Sequence, residues 1–215
     1  MMNLSTKKIT TIGMLSAMAI VVNLLIHFPI VPAVSFLNYD PKDIVIVIGG
    51  FIYGPAVCFI MSAITSVMEI MFRGGTILDV LMNMISTCTF AVTAAYFYKR
   101  NHTKKGAIIG LSIGVVACSI SMLLWNYIVD PIYFQMPREA VVSMLPAILL
   151  FNVLKCGMNT GVTLFLYKPI VSILRRTNLI EKSESEHSVS RDILLLSIFI
   201  IISIVCLILG FQGII

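Results

Sequence analysis

Six apolar runs of about 20 residues recur along the chain, at 9–28, 55–72, 77–98, 106–129, 141–168 and 193–214. Each is about long enough to cross the hydrocarbon of a bilayer as a helix. Lipid offers no partner for backbone amides and carbonyls, so such runs fold as helices packed on one another. The composition agrees: 59% of residues are hydrophobic and 12% charged, too little polar surface for a water-soluble domain of this size. The chain therefore reads as an all-α polytopic membrane protein in contact with the lipid bilayer. The formal charge of +5 carries no signal for nucleic acid, because the basic residues sit in short loops between spans. The five cysteines lie inside apolar segments without paired spacing and read as small buried hydrophobes. The first span is too long for a signal-peptide core and leads into further spans, so it reads as a retained helix.

A seventh segment, Ile44 to Tyr53, is short and ends at Gly54-Pro55. Loop charge assigns it. Lys7, Lys8 and the run "KRNHTKK" at 99–105 both belong on the cytoplasmic side, where Lys and Arg accumulate. An even number of crossings must then separate them, so the short segment crosses too. Of the fifteen Lys and Arg, three (Lys42, Arg73, Arg138) fall outside, one (Lys155) falls within the membrane, and the others are cytoplasmic. The reading is seven crossings in a cell membrane, with the N-terminus inside. Residues 1–176 form a six-helix functional body, 177–190 a polar cytoplasmic linker, and 191–215 an extra C-terminal helix that serves as a peripheral anchor. The long outer loop "HFPIVPAVSFLNYDPKD" at 27–43 is stiffened by three prolines and suits a cover over the outer face.

Polar groups inside the spans carry the functional signal. Asn152, Lys155 and Asn159 are spaced i, i+3, i+7 and share one helix face. A lysine at mid-span costs about 3 kcal/mol on insertion scales, so it must face the bundle or water. Ser112, Ser119 and Asn126 form a second stripe, and Asp79, Asn83 and Ser86 a third. For the serines, hydrogen bonding between helices is the expected role. The amides and the lysine offer several donors and a few acceptors close to Trp125, Tyr127, Tyr133 and Phe134. That set suits a neutral, flat, heteroaromatic ligand, with Asn pairing an imide-like edge and aromatics stacking on the face. Carboxylates are expected only near the outer ends, which argues against a bare cation as ligand and against an intramembrane enzyme using Lys155 as base or nucleophile. A pure scaffold would not need inward polar stripes. No Walker A pattern occurs, so ATP hydrolysis by that route belongs to other chains. Gly106, Gly110 and Gly114, and Gly13 with Ala17, are spaced for close helix contact.

Three stretches, "FLNYDPKDIVIVIGGFIYGP" (36–55), "WNYIVDPIYFQMPREAV" (125–141) and "FNVLKCGMN" (151–159), resemble the riboflavin-specific S component of energy-coupling factor (ECF) vitamin transporters. The resemblance runs in order over about residues 5–176. It implies a six-helix S-component bundle that takes riboflavin from outside as a transported ligand, with no cofactor. It also implies a membrane T component and two cytoplasmic ATPase subunits as partners. The family's ring-binding Asn and Asn-x-x-Lys fall on Asn126, Asn152 and Lys155, and its loop contacts on Leu37, Asn38 and Tyr39. Its Ala-x-x-x-Ala docking motif falls on Gly13 and Ala17. Another vitamin (thiamin, biotin or a flavin analogue) is the alternative within this class. The helix at 193–214 departs from the family's six.

Overall fold

The computed structural model describes residues 6–177, 179 and 191–213. Seven α-helices are found among them: α1 (Thr6–Leu25), α2 (Lys42–Tyr53), α3 (Pro55–Arg73), α4 (Ile77–Arg100), α5 (Lys104–Tyr133), α6 (Arg138–Arg176) and α7 (Arg191–Phe211). All except α2 are long and apolar enough to span a membrane. The boundaries follow local chemistry. Gly54, at a φ of 97°, turns the chain out of α2, a conformation that only glycine adopts freely, and Pro55 then opens α3 with its φ already helical. Thr76 and Asp79 form a reciprocal capping box at the start of α4, and the Thr103 hydroxyl accepts from the Gly106 amide at the start of α5.

The short helix α2 is the centre of the bundle. It touches α1, α3, α4 and α6, and ten of its twelve residues are buried. At 1.5 Å per residue it is roughly 18 Å long, against about 30 Å of hydrocarbon. The chain makes up the difference with the outer segment between α1 and α2. There β1 (Phe28–Pro29) pairs antiparallel with β2 (Asn38–Tyr39), with Phe28 opposite Tyr39 and Pro29 opposite Asn38, around one 3-10 turn at Pro32–Val34.

Two apolar clusters form the core. The larger joins α1 through α5 and reaches Cys156 of α6, with Leu15, Met61, Phe90, Ala94 and Leu111 fully buried. The second is the underside of the outer segment. Ile30, Val31, Val34, Leu37 and Tyr39 pack on Ile148, Phe151, Leu154 and Met158 of α6. The proline-rich loop thus covers the first half of α6.

Glycines on α5 face α4 as their spacing predicts: a Cβ at Gly110 would lie 2.7 Å from the Ala94 carbonyl oxygen, and one at Gly114 2.8 Å from that of Phe90. The extra helix α7 lies along α6, and a Cβ at Gly161 would come 3.0 Å from Ile201. Only 11% of its apolar window is buried, which fits a peripheral element. Its far end nonetheless joins the outer segment. Ile208 belongs to the second cluster, and the Gln212 amide donates to the Pro29 carbonyl at 3.3 Å. The linker expected at 177–190 lies outside the described residues apart from Thr177 and Leu179.

The serine stripe of α5 does not bond between helices. Ser112 is exposed, and the hydroxyl of Ser119 is buried without a partner. Cys118 occupies the α4 contact in its place, with its Sγ 3.6 Å from the Ser86 hydroxyl. The difference is one of phase: a seven-residue spacing drifts about 20° on a straight helix, and close glycine contact fixes which face meets α4.

Candidate functional site

Lys155 is 5% exposed and faces the bundle, not lipid. Its ammonium lies 2.6 Å from Asp40 Oδ1 and 3.8 Å from Asp43 Oδ2, and 3.5 Å from the Ser86 hydroxyl. This corrects two expectations. Carboxylates are present at the depth of Lys155, and the lysine is already paired and not a free donor. The argument against catalysis from a missing titratable partner falls with them. A different reason replaces it: an ammonium held between carboxylates has no lone pair with which to attack.

The pairing belongs to a larger network. Lys42, counted from sequence as an outer-loop cation, is fully buried. It contacts Asp40 directly and lies 3.0 Å from Glu69. Glu69 also meets Arg73 at 3.6 Å and accepts from the Asn83 amide at 3.2 Å. Asp43 accepts from the Thr87 hydroxyl at 2.7 Å and from the Asn159 amide at 3.4 Å. Arg73 donates to a ring nitrogen of His27 and to the Asn23 carbonyl. Asp40, Asp43 and Glu69 thus face Lys42, Arg73 and Lys155, and the set is neutral. Neutrality and mutual contact let so much charge sit in an apolar bundle. Burial alone would push Asp40 up, but Lys155 and Lys42 against it hold its carboxyl below the ordinary range. Burial pushes the Tyr39 phenol up, so it stays neutral and donates to Asn159 Oδ1 at 2.9 Å.

The other sequence-predicted residues divide into groups. Asn126 and Asn152 are 0% and 1% exposed. Each turns its amide nitrogen to its own helix, Asn126 to the Met122 carbonyl at 2.6 Å and Asn152 to that of Ile148 at 2.8 Å. The carbonyl oxygen of Asn126 is buried with no partner. Asn38 is half-buried and bonds locally to the Phe36 carbonyl at 3.4 Å. A cavity of about 160 Å³ between the outer segment and the outer ends of α4 and α5 is lined by Leu37 and by none of the other five. Its walls include Phe36, Asp79, Trp125, Asp130, Tyr133 and Phe134. Gly13 and Ala17 lie on the exposed face of α1, and nothing lies within 4 Å of where a Gly13 Cβ would be.

Sequence reasoning missed Asp40, Lys42, Asp43, Glu69 and Asp130. The legible signal was the length of α2. A helix too short to reach the surface draws the residues at its start, "YDPKD", inward with it.

Comparison with known proteins agrees with this architecture. The family model for the substrate-specific component of ECF transporters matches residues 7–174. Riboflavin transporter RibU of Staphylococcus aureus is 28% identical over 177 residues, covering 79% of this chain and 93% of that protein. Riboflavin transporter FmnP of Bacillus subtilis is 29% identical over 128 residues, covering 58% of this chain and 67% of the other. Among solved structures, the S component of a bacterial ECF transporter superposes with a TM-score of 0.68 at 28% identity, covering 79% of this chain and 98% of that one. The family model's match ends before α7. This chain belongs to the family of substrate-specific components of ECF transporters.

Proposed function

We propose that the chain is the riboflavin-binding S component of an ECF importer, taking the vitamin from the outer face. The observation that carries the reading is the similarity to riboflavin transporters along nearly the whole length of one relative, 93% of it. Supporting it, Asn126 holds an unpartnered buried carbonyl oxygen, the acceptor that an imide N–H of the ring requires. In this reading Asn126, Asn152 and Lys155 bind the isoalloxazine ring, while Leu37, Asn38 and Tyr39 close over it. Lys155 exchanges part of its contact with Asp40 for a ring carbonyl, so ligand entry and loop position are linked through one ammonium. The N-terminus faces the cytoplasm. A T component docks on the α1 face of Gly13 and Ala17, and two ATPase subunits supply energy.

The test is titration of the purified chain with riboflavin, followed by quenching of flavin fluorescence, with thiamin and biotin as competitors. Saturable quenching that neither competitor reverses is expected. Asn126→Leu and Lys155→Ala should each weaken binding by about 1.5–3 kcal/mol, the range for a hydrogen bond involving a charged group and an upper range for the amide. Absence of quenching, or displacement by thiamin, would refute the assignment.

A further inference from the structure

Among the described residues, one buried carboxylate stands outside the neutral network. Asp130, on α5, is 6% exposed and lines the outer cavity. Its carboxylate has no hydrogen-bond or ion-pair partner among the described residues. Its backbone carbonyl accepts from the Phe134 amide at 2.9 Å. Asp79, the other carboxylate in the wall, is satisfied by the Thr76 amide at 2.7 Å and by the Tyr133 hydroxyl at 3.1 Å. The Asp130 side chain instead lines the cavity and presents an acceptor there, in walls whose described residues hold two carboxylates and no cation.

We propose that Asp130 receives the hydroxyl groups of the ligand's polyol chain and makes the site selective for the uncharged flavin over its phosphate ester. This rests on the riboflavin reading and names the part of the ligand that the cavity takes. Placement supports it. Asn126 and Asp130 are four residues apart on α5, hence on one face and about 6 Å apart along the axis. A ring held at Asn126 carries its side chain outward beside Asp130. The cavity, about 160 Å³, is smaller than the roughly 300–1,000 Å³ of pockets that enclose whole drug-sized ligands, and it suits a chain better than a fused ring system. Hydroxyls donating to a carboxylate make strong, short bonds. A terminal phosphate would place a dianion against two carboxylates with no lysine or arginine among the described lining, and the α4 N-terminus in the wall is already capped by the Asp79 carboxylate, which accepts from the Thr76 amide.

The experiment compares riboflavin, its 5′-phosphate and lumiflavin (the same ring without the polyol) on the full chain and on Asp130→Asn. The parent should prefer riboflavin to the phosphate. In Asp130→Asn the ratio of the two affinities should fall roughly tenfold or more, the size of one charge-assisted hydrogen bond. Lumiflavin affinity should stay unchanged. The melting temperature of the empty protein should rise on this substitution, because an unpaired buried charge is removed, whereas loss of a structural carboxylate would lower it. An unchanged ratio, an equal loss for lumiflavin, or a lower melting temperature overturns the proposal while leaving riboflavin binding in place. A parent chain that binds none of the three flavins removes both readings together.

Discussion

Removing the ammonium at position 155 tests the buried network most directly. Lys155→Met keeps a flexible apolar stem of similar length and leaves three carboxylates facing two cations. Asp40 retains Lys42, so the uncompensated charge falls on Asp43, which keeps only the neutral donors Thr87 and Asn159. Breaking a buried pair from one side costs about 3–5 kcal/mol. At about 2–4 °C per kcal/mol for a chain of this size, the melting temperature should drop by roughly 6–20 °C. Adding Asp43→Asn restores neutrality and still offers Thr87 an acceptor. The double variant should therefore melt well above Lys155→Met, a coupling that a double-mutant cycle measures. Riboflavin affinity, by contrast, should not return, because the donor proposed for the ring is still missing. The assay is thermal unfolding in detergent beside flavin titration of the same preparations. If Lys155→Met melts like the parent, or the double variant melts no higher than the single one, the network does not carry the stability assigned to it here.

Mild acid should loosen the outer anchor of α3. Burial and the Arg73 guanidinium hold the His27 pKa below its ordinary 6.5, so the folded state resists protonation. Stability is then retained above pH 6.5 and lost as pH falls below it; melting at pH 7.5 and 5.5 should show the loss, and His27→Gln should reduce it. Truncation after Arg176 should spare flavin binding, since the family match ends at residue 174. It should also speed hydrogen exchange across residues 28–39, because Ile208 and Gln212 no longer hold that segment; loss of binding would make α7 part of the site.

The helices were legible because each long apolar run is about as long as the bilayer core is thick, and the short run ending at Gly54-Pro55 was legible as one more. Lys155 was legible for the opposite reason: one ammonium in a span has nowhere tolerable to be except inside. Its partners were not, because Asp40 and Asp43 sit in a stretch that reads as a cover over the outer face and not as part of a buried site. What sinks them is a tertiary fact, the shortness of α2, and not any local pattern. Asp130 was hidden similarly, among the aromatic residues of a helix end that also reads as an interfacial belt. The serine stripe of α5 misled because periodicity gives a face but not its neighbour. The glycines of α5, by admitting α4 to backbone contact, settled which side met it.

A bundle whose middle rod stops about two fifths short of the hydrocarbon thickness has a hollow at one end. Here the hollow is filled by a plug of chain with its own greasy underside, pinned from below by Asp40 on Lys155 and from the side by Gln212 on Pro29. Another two turns on α2 would put a rigid cylinder in that space and leave no chamber at all. The capacity to admit a guest therefore comes from residues the helix lacks, and swapping Pro41 for a helix former would be the economical way to shut the door.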